Sequence, residues 1–213
     1  MFTDRSDAGK KLALELKKYR NNENVVVIGL ARGGVVTAFE VATFLRAPLE
    51  VLCPRKVGAP NNPELALGAV TETGIGFFNE ELIQHIGVRQ DWLEAECKKE
   101  QERSKHRLEL FRKSRPPLDV QDKIVIVVDD GLATGATMKA AILSLQSQKA
   151  KKTIVAIPVS PLDTAKEIQK LCDEFICLDL PWFFQSVGQF YEQFPQTEDE
   201  EVVALLQMNQ KES

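Results

Sequence analysis

Short apolar runs alternate along the chain with amphipathic stretches. Five of these runs predict β-strands, at 25–28, 49–53, 123–128, 153–157 and 175–178. The runs lack the apolar–polar alternation of a half-exposed strand, so we expect strands covered on both faces, as in a parallel sheet. Apolar residues at helical spacing predict helices in most of the intervals, at 8–19, 35–45, 136–148 and 161–171. This alternation predicts an α/β fold with a doubly wound, mostly parallel sheet flanked by helices.

Two segments interrupt the alternation. Residues 57–78 are rich in glycine and proline around a short alternating stretch at 65–73, which predicts a mobile, hairpin-like excursion rather than a buried layer. Residues 79–115 have a helical pattern and become strongly basic from residue 98. We interpret the basic stretch as a solvated helix face, and a subunit or polyanion contact is the alternative.

Composition narrows the class of protein. The chain has 213 residues, of which 44% are hydrophobic and 27% charged, so we expect one globular domain over residues 1–213. A net charge of −4 argues against a nucleic-acid partner. The sequence has neither a membrane-spanning apolar run nor an apolar leader, and its four cysteines form no C-x-x-C motif, so we expect reduced thiols in a cytoplasmic protein. The two histidines lie away from cysteine and aspartate clusters, and we assign no metal ligands.

The most informative segment is IVIVVDDGLATGAT, at 124–137. A buried strand delivers Asp129 and Asp130 at its carboxyl end, where open α/β sheets bind ligands. A loop with Gly131 and Gly135 then opens a helix, whose N-terminus suits a phosphate. Ionised carboxylates accept hydrogen bonds only, and sugar hydroxyls can donate them. The segment therefore predicts a site for a phosphorylated sugar; the alternative is an ordinary strand-to-helix turn with exposed aspartates.

Two other predicted strands end in segments that suit anions. The stretch 28–34 contains Ala31, Arg32 and Gly33, and the stretch 54–58 contains Arg55 and Lys56. Arginine can donate two parallel hydrogen bonds to a phosphate. Taken singly, the first segment could reflect helix packing and the second surface solubility. Three such segments at the ends of successive strands make an anion site the better interpretation.

The 124–137 segment resembles the PRPP-binding motif of the type I phosphoribosyltransferases, where PRPP is 5-phosphoribosyl-1-pyrophosphate, and it is most similar to the adenine-specific branch. Ala133 agrees with that branch, since many other purine-salvage members carry aspartate there. RKVGAPNNPELALGAV and VGQFYEQF resemble bacterial predicted phosphoribosyltransferases of unsettled substrate. The resemblance implies PRPP-binding residues Ala31, Arg32, Gly33, Arg55, Lys56, Asp129, Asp130, Gly131, Ala133, Thr134, Gly135, Ala136 and Thr137.

The same resemblance implies an activity. It indicates a Mg²⁺-dependent pentosyl transferase of nucleotide metabolism that moves the 5-phosphoribosyl group of PRPP to a nitrogen acceptor, such as a nucleobase, and releases pyrophosphate. Asp129, Asp130 and Lys56 are its implied catalytic residues. Mg²⁺ would bridge oxygens of the pyrophosphate and the ribose, and a homodimer is expected.

Two variable regions have counterparts in the family. Residues 57–78 correspond to a flexible catalytic loop, with Glu64 or Glu72 as its candidate carboxylate. Residues 179–213 correspond to a hood, in which Trp182 or Phe184 could stack on the acceptor. Core packing within a small cap is the alternative role for both aromatic residues.

Two other functions stay open on the sequence alone. One is a PRPP- or nucleotide-sensing module of the same fold that does not turn over its ligand. The other is an enzyme that hydrolyses PRPP or a nucleoside phosphate with water as the acceptor.

Overall fold

A computed structural model describes residues 1–113 and 115–212, and the side chains of residues 1–113 and 115–210. Its strands are β1 Val25–Leu30, β2 Leu49–Leu52, β3 Arg55–Ala59, β4 Asn62–Val70, β5 Gly76–Phe78, β6 Ile124–Val128, β7 Lys152–Val159 and β8 Glu174–Asp179. Its α-helices are α1 Arg5–Glu15, α2 Gly33–Leu45, α3 Glu80–His85, α4 Gln90–Arg112, α5 Ala136–Ser147, α6 Leu162–Gln169 and α7 Asp199–Glu212. Short 3₁₀ turns lie at Lys17–Tyr19 and Val187–Phe190.

The main sheet is parallel throughout, with the strand order β2-β1-β6-β7-β8. Its strands are the five apolar runs, so the predicted α/β fold is confirmed. One face of the sheet shares a core with α1, α2, α4 and α7, and the other packs on α5 and α6. These two layers bury β1 completely, which explains its unbroken apolar sequence.

The strand order places a topological switch point between β1 and β6. From β1 the chain moves outward to β2, whereas from β6 it moves the opposite way to β7. Gly29 pairs with Val128 in the register of the two strands. The segments that follow them therefore leave the sheet side by side, at the edge where open α/β sheets bind ligands.

The prediction that 57–78 is not a buried layer is wrong, although its hairpin shape is confirmed. The region forms a three-stranded antiparallel sheet in the order β3-β4-β5. A core of its own contains Val57, Leu67 and Val70, closed by Ile83 of α3 and Leu93 of α4. The alternating stretch was short because only the second half of β4 is covered, while its first half lies exposed in the hairpin.

The N-terminus contributes to the cover over the strand ends. Phe2 donates from its backbone N–H to Phe190 O at 2.8 Å and accepts from Glu192 N at 2.9 Å. The Phe2 and Tyr191 rings lie 5.4 Å apart. The cover therefore combines residues 1–3 with the segment after β8, whereas Val202 and Leu206 of α7 pack into the core of the main sheet.

One partly exposed charge cluster ties the 3₁₀ turn after α1 to the far edge of the sheet. Glu174 accepts hydrogen bonds from Tyr19 Oη at 2.6 Å and Lys152 Nζ at 2.8 Å, and Lys18 Nζ lies 2.7 Å from its other oxygen. Burial raises the pKa of this carboxyl, but the three donors outweigh burial and lower the pKa to about 2. The cluster therefore favours ionised Glu174 in the folded protein.

We expect Glu174→Gln to destabilise the fold in a pH-dependent way. The pKa of the carboxylate is about 4.3 in an unfolded chain, so its contribution is complete above that value and is lost as pH falls toward 2. Allowing for partial solvent exposure, we expect a loss of about 1–2 kcal/mol at pH 7 and less than half of that near pH 3. Urea unfolding at both pH values measures it, with exposed Glu23→Gln as the control. An equal loss at both pH values would contradict this role of the charge.

Candidate active site

Asp129 and Asp130 lie directly after β6 and form a partly buried acid pair. The Asp130 N–H donates to Asp129 Oδ1 at 2.9 Å, and Asp130 Oδ2 accepts from Arg5 Nε at 2.7 Å. Burial raises the pKa of Asp129 well above its ordinary range, and the charge of Asp130 raises it further. Burial also raises the pKa of Asp130, while the Arg5 guanidinium partly offsets this. Because burial raises both pKa values, hydrogen bonds donated by a ligand would help to keep the pair ionised.

The start of α2 faces the acid pair without any intervening side chain. A Cβ atom on Gly33 would lie 2.0 Å from Asp130 Oδ2, and one on Gly34 would lie 2.7 Å from Asp129 Oδ1. Only glycine permits this approach between the helix backbone and the carboxylates. The Ala31–Arg32 peptide bond just before the helix is cis. The first predicted anion segment and the acid pair are therefore direct neighbours.

The loop from Gly131 to Gly135 forms an open cradle before α5. Leu132 N donates to Val159 O at 2.9 Å, and Thr164 Oγ1 donates to Ala133 O at 2.7 Å, which together fix the loop. Gly135 has φ +72° and precedes the first residue of the helix. Among the described residues, the backbone N–H groups of Ala133, Thr134 and Gly135 donate to no protein acceptor. These N–H groups and the helix N-terminus suit an anion.

Of the three predicted phosphate-binding cations, Arg32 and Arg55 already contact carboxylates. Arg32 Nη1 is 3.5 Å from both Glu198 Oε2 and Asp199 Oδ1. Arg55 Nε lies 3.0 Å from Glu100 Oε2. Lys56 is exposed and has no ion-pair partner in the part of the chain that the structure describes. The distances at Arg32 are long for a hydrogen bond, so a phosphate could replace the two carboxylates as the partner of its guanidinium.

The two aromatic residues expected to meet the acceptor lie in different environments. Trp182 is fully exposed. Phe184 stacks on Phe190, with 5.5 Å between ring centroids and an interplanar angle of 24°. The Phe184 ring is half-buried against Phe190, while the Trp182 ring is accessible to a planar ligand.

The two candidate loop carboxylates also differ. Glu64 is exposed on the β3–β4 hairpin. Glu72 lies in the turn before β5, where Gln101 Nε2 of α4 donates to its backbone oxygen at 3.1 Å. Burial raises the pKa of Glu72, and its Oε2 is buried with no hydrogen-bond partner among the described residues. Glu72 is therefore held against α4, whereas the Glu64 side chain lies exposed at the hairpin.

Sequence reasoning missed two residues that contact the acid pair. Arg5 donates to the Asp130 carboxylate, and the Tyr191 hydroxyl donates to the Asp130 carbonyl oxygen at 2.6 Å. Both lie far from Asp130 in the chain; Arg5 lies in no motif, and Tyr191 lies in the VGQFYEQF segment, to which no contact with the acid pair had been assigned. The residues next to Arg5 and Tyr191 in the sequence do not indicate that either side chain contacts Asp130.

Comparison with known proteins places the chain in a family. Residues 3–192 match the family described as the phosphoribosyl transferase domain. A Mycobacterium tuberculosis protein that carries the provisional name phosphoribosyl transferase is 42% identical over 206 residues, which are 97% of this chain and 46% of that protein. The chain thus spans about half the length of this curated relative.

Solved structures share the fold. The crystal structure of TT1426 from Thermus thermophilus has a TM-score of 0.81 and 38% sequence identity, covering 96% of this chain and 97% of that one. The AQ2163 protein from Aquifex aeolicus has a TM-score of 0.50 and 16% identity, covering 83% of this chain and 73% of that one, a likeness of fold alone.

The architecture is that of an α/β protein whose candidate ligand-binding edge lies at a topological switch point. Together with the match over residues 3–192, this shows that the chain belongs to the phosphoribosyl transferase domain family. The resemblance of the sequence to that family is thereby confirmed. Among the described residues, no helix combines the length and apolar character that a bilayer crossing requires.

Proposed function

We propose that this protein transfers the 5-phosphoribosyl group of PRPP, taken as its Mg²⁺ complex, to a nitrogen acceptor such as a nucleobase. The observation that carries the proposal is the meeting of three kinds of group at one edge of the sheet. The carboxylates are direct neighbours of a glycine-lined helix start, and the loop whose N–H groups donate to no described acceptor follows the carboxylates in the chain. PRPP presents matching groups: ribose hydroxyls, a pyrophosphate and a 5′-phosphate.

The acid pair has two roles in this proposal. Asp129 and Asp130 accept hydrogen bonds from the ribose hydroxyls and so orient the ring. The C1–O bond to pyrophosphate breaks as the acceptor nitrogen bonds to C1, and positive charge develops on the ring. The nearby carboxylates stabilise that charge, and the acceptor nitrogen then loses its proton to solvent or to a base.

The leaving group needs positive partners. Negative charge moves onto the departing pyrophosphate. In this scheme it is stabilised by Arg32, Lys56 and the amides that precede α2. Mg²⁺ belongs to the donor complex in this scheme, where it neutralises pyrophosphate oxygens. The β3–β4 hairpin is the segment that could close over the donor and exclude water from the reacting C1.

One assay tests the function and its rivals together. The protein is incubated with PRPP and Mg²⁺, with each of a panel of purine and pyrimidine bases or with none, and pyrophosphate is followed. We expect at least one base to raise the rate of pyrophosphate release about tenfold over the base-free rate. This factor corresponds to an activation free energy that is lower by roughly 1.4 kcal/mol. Equal release without a base would indicate hydrolysis. Calorimetric binding of PRPP without release in any mixture would indicate a sensing module, and absence of binding would overturn the proposal.

A further inference from the structure

We propose, on the basis of the proposed function, that Arg5 is a positioning residue for the donor. In this role Arg5 fixes one oxygen of the Asp130 carboxylate, so that the other oxygen is presented to a ribose hydroxyl. It also links this carboxylate to the hood, the cover formed by residues 1–3 and 180–198. Arg5 itself contacts no reacting atom in this scheme.

The Arg5 side chain is enclosed by three contacts. Its Nε donates to Asp130 Oδ2 at 2.7 Å, and its Nη1 donates to Pro195 O at 2.7 Å. Its guanidinium carbon lies 3.8 Å from the centroid of the Phe194 ring. Arg5 is only 9% exposed, so these contacts hold a buried cation in one orientation.

The Asp130 carboxylate is oriented mainly through its Oδ2 oxygen. This oxygen lies between Arg5 and Gly33, whose ideal Cβ position is 2.0 Å away. The Asp129 side chain and the Asp130 backbone N–H also hydrogen-bond to the carboxyl and lower its pKa, and Arg5 is the cation that contacts it. A carboxylate oriented in this way keeps acceptor capacity for a ligand hydroxyl.

The Arg5 backbone is tied to the same hood segment as its side chain. Asp4 caps α1 by accepting from Asp7 N at 2.8 Å, which makes Arg5 the first helical residue. Gln193 N donates to Thr3 O at 2.9 Å, in line with the Phe2 pairing. A shift of the hood therefore moves the start of α1, and with it the guanidinium on Asp130.

Charge adds to this geometric argument. Asp129 after β6, Arg5 of α1 and the Tyr191 hydroxyl of the hood are the titratable or charged groups that face Asp130. Arg5 is the cation among them, and it lowers a pKa that burial raises. Without Arg5 more of the Asp130 carboxyl would be protonated at a given pH, and the pair would accept fewer hydrogen bonds from the ribose.

Arg5→Gln and Arg5→Lys test this role, with Lys10→Gln on the exposed face of α1 as the matched control. For Arg5→Gln we expect KM and the calorimetric Kd for PRPP to rise about tenfold, with kcat and the acceptor KM changed less than about threefold. The acidic limb of the kcat/KM profile for PRPP should move to higher pH. Arg5→Lys keeps the positive charge, so the acidic limb should lie at the wild-type pH. The KM for PRPP should stay about threefold above that of the wild type, because lysine lacks the planar guanidinium.

Several results would overturn the role of Arg5. One is an Arg5→Gln protein with wild-type PRPP affinity and an unmoved acidic limb, even if its melting temperature is lower. If Arg5→Gln fails to fold, wild-type PRPP affinity in Arg5→Lys would also overturn it. These failures differ from failure of the proposed function, in which the wild-type protein itself would neither bind PRPP nor release pyrophosphate.

Discussion

Gly33→Ala is expected to lower kcat/KM for PRPP at least a hundredfold, equivalent to about 2.7 kcal/mol. The new methyl group would lie 2.0 Å from Asp130 Oδ2 and 2.7 Å from Arg5 Nε. Neither atom is the free end of a flexible chain, because each is held by the other at 2.7 Å. The carboxylate must therefore leave its position, and the ribose loses an acceptor. Steady-state kinetics and calorimetric PRPP binding measure the loss.

Gly87→Ala is the matched control for this substitution. Gly87 has φ +67°, and a Cβ atom there would meet nothing within 4 Å. Alanine should cost about 1–2 kcal/mol of stability from the left-handed backbone, with no effect on PRPP. Gly33→Ala should show the opposite pattern, with a larger loss of PRPP use than of stability. A Gly33→Ala protein with half or more of the wild-type kcat/KM would show that Asp130 can move without consequence.

Asp130→Asn is expected to reduce kcat/KM for PRPP about 10- to 150-fold, the range that one charge-assisted hydrogen bond spans. The amide has nearly the same shape, and its oxygen can still accept from Arg5 Nε. The fold should therefore persist while the charge that orients and stabilises the ribose ring is lost. Differential scanning calorimetry checks the fold, and kinetics with PRPP as the varied substrate check the role.

Asp163→Asn is the control for loss of an aspartate charge. Asp163 lies at the start of α6 with a side chain that is almost entirely exposed, and its nearest cation is 3.8 Å away. This variant should behave as wild type with PRPP. Unchanged PRPP affinity in Asp130→Asn would remove the assignment of the acid pair to the ribose.

The sequence predicted the main sheet and the centre of the site because both are local features. Each strand of the parallel sheet is a continuous apolar run, and burial on both faces produces that pattern without reference to other segments. The acid pair, the glycine loop and α5 are contiguous in the chain, so one fourteen-residue segment specified their order. Gly33 and Asp130 each follow the carboxyl end of a strand, so the rule for strand ends predicted that both lie at the same edge of the sheet.

The parts that were missed depend on distant contacts. The small sheet is buried because Ile83 and Leu93 of later helices cover Val57 and Leu67, and because α5 packs on Ala69. Nothing within 57–78 indicates that cover. Arg5 likewise gains its role from a residue that lies far along the chain, and an arginine near an N-terminus is ordinarily a solvated one.

The hood draws on both ends of the described chain, and this has a consequence for synthesis. Ribosomes add about 5–20 residues per second, so roughly 60 residues, or several seconds, separate the emergence of Asp130 from that of Phe190. During that interval the nascent chain contains both carboxylates but lacks Phe194 and Pro195, which Arg5 contacts in the folded protein. A polypeptide halted before residue 190 would lack the segment that Arg5 contacts beside Asp130, so competence to use the donor should arise only after that segment has emerged.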